Sequence, residues 1–128
     1  MKEPTWIRIE VLTANHKELI AEHGGIEGIR DSNLLESACA APIHMYHYKN
    51  PKPSLCELAG KYAYSIMRNH PFLDGNKRMA ALACELFLSI NDCNFDVSDE
   101  DAYFAFKDLA AGEISEEEFA AWLKQNVL

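Results

Sequence analysis

The sequence predicts an all-α fold, a compact bundle of about six helices, on three observations. Apolar residues recur at helical spacing in successive stretches of the chain. Ser54, Ser98 and Ser115 each stand three residues ahead of an acid (Glu57, Asp101, Glu118), the pattern of a helix start. Glycines or prolines punctuate the joints between these stretches, and little of the chain alternates as a strand would. With 128 residues, 48% of them hydrophobic, the chain suits one domain spanning 1–128 with a single core.

The elements follow in order. Residues 5–12 alternate partly and predict a short strand or extended lead-in. Thr13 is placed to cap a helix through about Glu22, closed by Gly24 and Gly25. Asp31 or Ser32 opens the next helix, with Leu34, Leu35, Ala38 and Cys39 at core spacing, and Pro42 is expected to end it at Ala41. Residues 43–53, with aromatics, two histidines and two prolines, predict an exposed loop or short hairpin. Ser54 and Glu57 form a capping box, and Leu55, Leu58, Ala59, Tyr62, Ala63, Ile66 and Met67 mark a central helix running to about Asn69. Pro71 then disfavours helical geometry at His70. A second long helix starts near Gly75 or Asn76 and continues to about Asn91, with Ala80, Ala83, Cys84, Phe87 and Leu88 inward. Two shorter helices follow, one from Ser98 to a stop at Gly112, one from Ser115 carrying Phe119, Trp122 and Leu123. That last apolar face reads as core before it reads as a receptor for a partner.

The formal charge of −8 argues against nucleic acid as a main partner, since phosphate binding relies on a basic face. The charge is uneven. Residues 99–118 hold eight acids against Lys107 alone, whereas residues 60–80 hold Lys61, Arg68, Lys77 and Arg78 against Asp74 alone. A locally positive segment suits a small anion. Cys39, Cys56, Cys84 and Cys93 form no Cys-x-x-Cys pair, and Cys39, Cys56 and Cys84, among apolar neighbours in helical patterns, read as reduced and buried. His44 and His47 have no cysteine pair or third ligand at zinc spacing. The N-terminal stretch lacks a signal-peptide core and no segment reaches membrane-spanning length, so a cytoplasmic protein with no membrane partner is expected.

The chemistry gathers between the two best helices, in His70-Pro71-Phe72-Leu73-Asp74-Gly75-Asn76-Lys77-Arg78. A helix start offers unpaired amides and the positive end of the dipole to an anion. Gly75 admits close backbone approach or a positive φ, and Lys77 and Arg78 add full charge. Asp74 is a hard oxygen ligand suited to Mg2+ shared with phosphates. Histidine is the residue type that moves protons near neutral pH, and His70 stands just upstream. Read without further context, the same residues also suit a plain turn, an N-cap and solvated cations.

This string resembles the Fic signature H-P-F-x-D/E-G-N-G-R, in the form with lysine before the arginine that typifies the death-on-curing, or Doc, branch. Gly24-Gly25-Ile26 and Leu34-Leu35-Glu36-Ser37-Ala38 are similar to early patterns of small Doc-like proteins, so the resemblance spans the chain. It implies that His70 is the base that deprotonates a target hydroxyl and that Phe72 anchors the loop. It implies Asp74 as the Mg2+ ligand, and Gly75, Asn76, Lys77 and Arg78 as the binding site for the phosphates of ATP or another nucleotide. Lys77, and Ala81 where AMP-transferring relatives carry a second arginine, point to phosphorylation of a protein such as elongation factor Tu. Fic-type AMP transfer to Ser, Thr or Tyr is the alternative, and an inactive nucleotide- or partner-binding module the third. The resemblance further implies a Phd-like antitoxin as partner and a target-holding flap, for which 43–53, with Ile43, Met45, Tyr46 and Tyr48, is the candidate. Ser32 to Glu36 has the spacing of the family's inhibitory helix, but Ser37 follows where glycine or asparagine is expected, so Glu36 reads as surface.

Overall fold

In a computed structural model describing residues 2–128, the chain folds into six helices. These are α1 (Ile9–His23), α2 (Ser32–Tyr48), α3 (Leu55–Asn69), α4 (Asn76–Ile90), α5 (Asp99–Ala111) and α6 (Glu116–Gln125). Extended pairing among the described residues is confined to two isolated antiparallel bridges, Ile29 with Phe72 and Phe95 with Val127. The all-α expectation holds.

α3 is the axis of the bundle. Cys56, Leu58, Ala59, Gly60, Tyr62, Ala63, Ser65 and Ile66 are buried around most of its circumference, which requires neighbours on several sides. It packs most extensively on α4, then on α2 and α6. Both halves of the Ser54–Glu57 capping box form, at 3.1 Å each. Gly60 lets α6 approach, because a Cβ there would lie 3.3 Å from the Phe119 ring. Phe119 and Leu123 are fully buried, and Trp122 packs on Phe119 and Phe106, so the α6 face is core.

Two expectations fail in the first half of the chain. The lead-in is extended only as far as Arg8, and α1 begins at Ile9, four residues before Thr13. Thr13 is an interior residue whose hydroxyl bonds back to the Ile9 carbonyl at 2.9 Å. Burial of Leu12, His16, Leu19 and Ile20 along one stripe outweighs the strand-like alternation of residues 5–12. The extended residues are held from outside. The Ile7 amide donates to the Tyr62 hydroxyl, and Asn91 bonds both the amide and the carbonyl of Thr5.

The second failure is at Pro42. α2 runs through it to Tyr48, so residues 43–48 are helical and only 49–54 connect to α3. Proline removes one ladder donor and crowds the preceding turn. Here Pro42 is itself buried, and one turn later Tyr46 is buried edge-on to Trp6, with ring centroids 5.7 Å apart. Packing on both sides of the proline outweighs its local cost. The proposed flap is therefore not a loop or hairpin. Ile43 and Met45 are half-buried on α2, Tyr46 belongs to the core, and Tyr48 is exposed at the last turn.

Candidate active site

The break between α3 and α4 is built from residues far outside it. His70 ends α3 in the left-handed region at φ 50 and ψ 53, a conformation few non-glycine residues adopt. Pro71 disfavours helical geometry at His70, as expected, and the chain leaves α3 through this left-handed turn. The guanidinium of Arg30 holds it there, donating from Nε to the His70 carbonyl at 2.6 Å and from Nη2 to the Asn69 carbonyl at 2.8 Å. Those carbonyls are the unpaired negative end of α3, so a cation is well placed.

Beyond His70 the loop pairs with residues 25–31. The Arg30 and Asp31 amides donate to the Pro71 carbonyl at 2.7 and 3.2 Å, and the Leu73 amide donates to the Gly28 carbonyl at 3.0 Å. The segment beside the loop is thus 25–31. No residue of 43–53 lines the cavity formed there.

Phe72 is fully buried, as expected of an anchor, a contribution of about 1.5–3 kcal/mol for a side chain of this size. The buried Asn76 side chain closes a ring on it, accepting from the Phe72 amide and donating to the Phe72 carbonyl, both at 3.0 Å. Asn76 is therefore committed first to shaping the loop. One face of Phe72 carries the His16 imidazole, with centroids 4.0 Å apart and planes 10° from parallel.

Asp74 is exposed, and both its carboxylate oxygens are oriented by backbone amides, Oδ1 by Gly75 at 2.9 Å and Oδ2 by Ile26 at 3.2 Å. Gly25 permits this arrangement. Its φ is +121, and a Cβ there would fall 2.8 Å from Asp74 Oδ2. Gly75 takes a positive φ of 74 as the N-cap of α4. α2, α3, α5 and α6 are capped by Asp31, Ser54, Ser98 and Ser115, whereas α1 and α4 have no side-chain cap. The amides of the first turn of α4, from Asn76, Lys77 and Arg78, stay open to an anion.

His70, Leu73, Asp74, Gly75, Asn76, Lys77 and Arg78 line one cavity of about 320 Å³. Lys77 and Arg78 are exposed, and neither forms an ion pair among the described residues. They also border an adjoining cavity of about 370 Å³ with Ala81, Ala102, Tyr103, Phe106 and Lys107. Asp74 is the one carboxylate of the loop cavity, a donor set that fits Mg2+ held mainly by phosphate oxygens rather than a protein cage. The cysteines lie elsewhere. Burial pushes the Cys39 thiol up to about 11 and raises Cys84 further.

The spacing of the nine residues showed which groups would meet, but not His16, Gly25, Ile26, Gly28 or Arg30. The available signals were a histidine inside the apolar stripe of α1 and the Gly24-Gly25-Ile26 pattern. Glu36 is exposed on α2 and away from the cavity lining.

The sequence model of the Fic/DOC family matches residues 6–88, from the lead-in through most of α4. A relative named Toxin Doc, from Mycolicibacterium smegmatis, is 37% identical over 94 residues, covering 70% of this chain and 69% of its own. No helix among the described residues is long and apolar enough to cross a membrane.

Proposed function

The chain belongs to the Fic/DOC family, and on that premise we propose that it is a toxin-type transferase that phosphorylates a protein hydroxyl from ATP. The observation that carries this reading is the convergence of His70, Asp74, Lys77 and Arg78 on one cavity at the uncapped start of α4. His70 accepts the proton of the target hydroxyl. The hydroxyl oxygen forms its bond to the terminal phosphorus, the bond from that phosphorus to the bridging oxygen breaks, and ADP leaves. The first-turn amides of α4 with Lys77 and Arg78 hold the phosphates and offset their charge, the main requirement of phosphoryl transfer. Mg2+, held by Asp74 and the phosphates, would supply further charge neutralisation.

Lys77 and Ala81 favour transfer of the terminal phosphate over AMP transfer. An exposed lysine occupies the position where AMP-transferring relatives carry a small residue, and Ala81 brings no second arginine. The adjoining cavity with Tyr103 gives a nucleoside room to lie beyond the phosphates. Elongation factor Tu is the proposed target type, a Phd-like antitoxin the proposed partner, and the cytoplasm the proposed location.

The test is incubation of the protein with bacterial lysate and ATP labelled at the α or the γ phosphate. Label from γ alone supports the kinase, label from α alone replaces it with AMP transfer, and neither leaves a binding module. His70→Ala should lower transfer by about 10²–10⁴-fold, the range for loss of a general base, without loss of the fold. A His70→Ala protein that modifies its target at the wild-type rate would sink the mechanism.

A further inference from the structure

His16 lies on α1, 54 residues ahead of His70, and is 2% exposed. Its Nε2 is 2.8 Å from the Asp74 carbonyl oxygen. A carbonyl only accepts hydrogen bonds, so this geometry places the hydrogen on Nε2. The ring is fixed by its parallel stack on Phe72, and its α1 neighbours Leu19 and Ile20 press against Gly75, where a Cβ would lie 3.3 Å from each.

The contact falls at a consequential peptide. The unit joining Asp74 to Gly75 is trans, so its carbonyl and its N–H point in opposite directions. With the Asp74 carbonyl drawn toward α1, the Gly75 N–H faces the other way, to the Asp74 carboxylate that lines the cavity. One bond from His16 thereby sets the direction of an amide at the helix start and the backbone from which the carboxylate projects. Filling space beside Phe72 would need only an apolar ring. A buried polar ring is retained where its hydrogen bond has a use or its packing tolerates it, and here the bond has a defined partner.

We propose that His16 is a positioning residue of the transfer reaction: its Nε2–H bond to the Asp74 carbonyl turns the Gly75 amide onto Asp74 Oδ1 and so holds the Asp74 carboxylate in its place on the cavity. The role in catalysis rests on the transferase reading above, whereas the role in loop geometry does not.

Two variants separate donor from packing. His16→Phe keeps a stacked ring and removes the donor, while His16→Gln keeps an N–H near the Nε2 position and removes the ring. Transfer kinetics, the long-range 15N–1H spectrum of the histidine rings, and the shift and hydrogen exchange of the Gly75 amide are measured on the full chain. His16→Phe should lose about 10–100-fold in kcat, the scale of a misplaced catalytic group, with a much smaller change in KM. His16→Gln should regain most of that rate, the wild-type spectrum should show Nε2 protonated, and the Gly75 amide should shift and exchange faster only in His16→Phe. The proposal is overturned if Nε2 carries no hydrogen, if His16→Phe matches wild type, or if His16→Gln is as impaired as His16→Phe. Should the wild-type protein transfer nothing, the transferase reading fails, and the ring spectrum with the Gly75 amide still decides whether His16 sets the loop.

Discussion

Replacing Asn76 by alanine removes two hydrogen bonds that no water can take over, because Phe72, whose amide and carbonyl they engage, is fully buried. Each bond is worth about 1 kcal/mol net, and about 2 kcal/mol where its loss leaves a buried group unpaired. The expected loss is therefore about 2–4 kcal/mol, a large share of a small domain's stability. Urea denaturation followed by circular dichroism reads it directly. With a slope of about 2 kcal/mol per molar, the midpoint should fall by about 1–2 M. Asn76→Asp is the companion variant. It keeps an acceptor for the Phe72 amide but presents an oxygen to the Phe72 carbonyl, so it too should be less stable than wild type. A loss below about 0.5 kcal/mol for Asn76→Ala, the size of an ordinary surface change, would refute the idea that this amide holds the loop. An Asn76→Asp protein as stable as wild type would show that the Nδ2 bond contributes nothing.

Arg30→Ala removes two bonds to the end of α3 but leaves the Arg30 and Asp31 amides on Pro71. Thermal melts should show a cost of about 1 kcal/mol, as for an exposed charge at a helix end, while transfer falls about tenfold or more as His70 is released. Arg30→Lys should not rescue, because an ammonium cannot reproduce the planar fork; full rescue would remove the argument. Thiol labelling at pH 8 followed by mass spectrometry should modify half-buried Cys93 first. Thiolate is the reactive form, and burial raises Cys39 to about 11, so labelling of Cys39 should climb as pH rises toward that value. Equal rates at Cys39 and Cys93 would contradict the burial described.

Much of the fold was legible because its signals are local. Ser54, Ser98 and Ser115 cap where a serine and an acid three residues on require, and Pro71 and Gly75 bracket the break they predict. Pro42 misled because its cost is local and its compensation is not: Tyr46 meets Trp6 from forty residues earlier. The candidate site divides in the same way. The groups that would touch phosphate are contiguous and show in the sequence, but the parts that orient them come from α1 and residues 25–31. Arg30 reads in sequence as one more surface cation, and nothing in its spacing says that it caps a helix forty residues away.

The pairing of residues 70–76 with residues 16–31 also means that the nine-residue string is not portable. Inserted between two helices of another protein, it would keep every chemical group and lose the mould that shapes them. The mould also lies earlier in the chain, so during synthesis α1 and the 25–31 segment have left the ribosome before His70 does. The loop does not hold its shape alone and is cast against that surface. A protein lacking the first thirty residues would carry the signature intact and have nothing to set it.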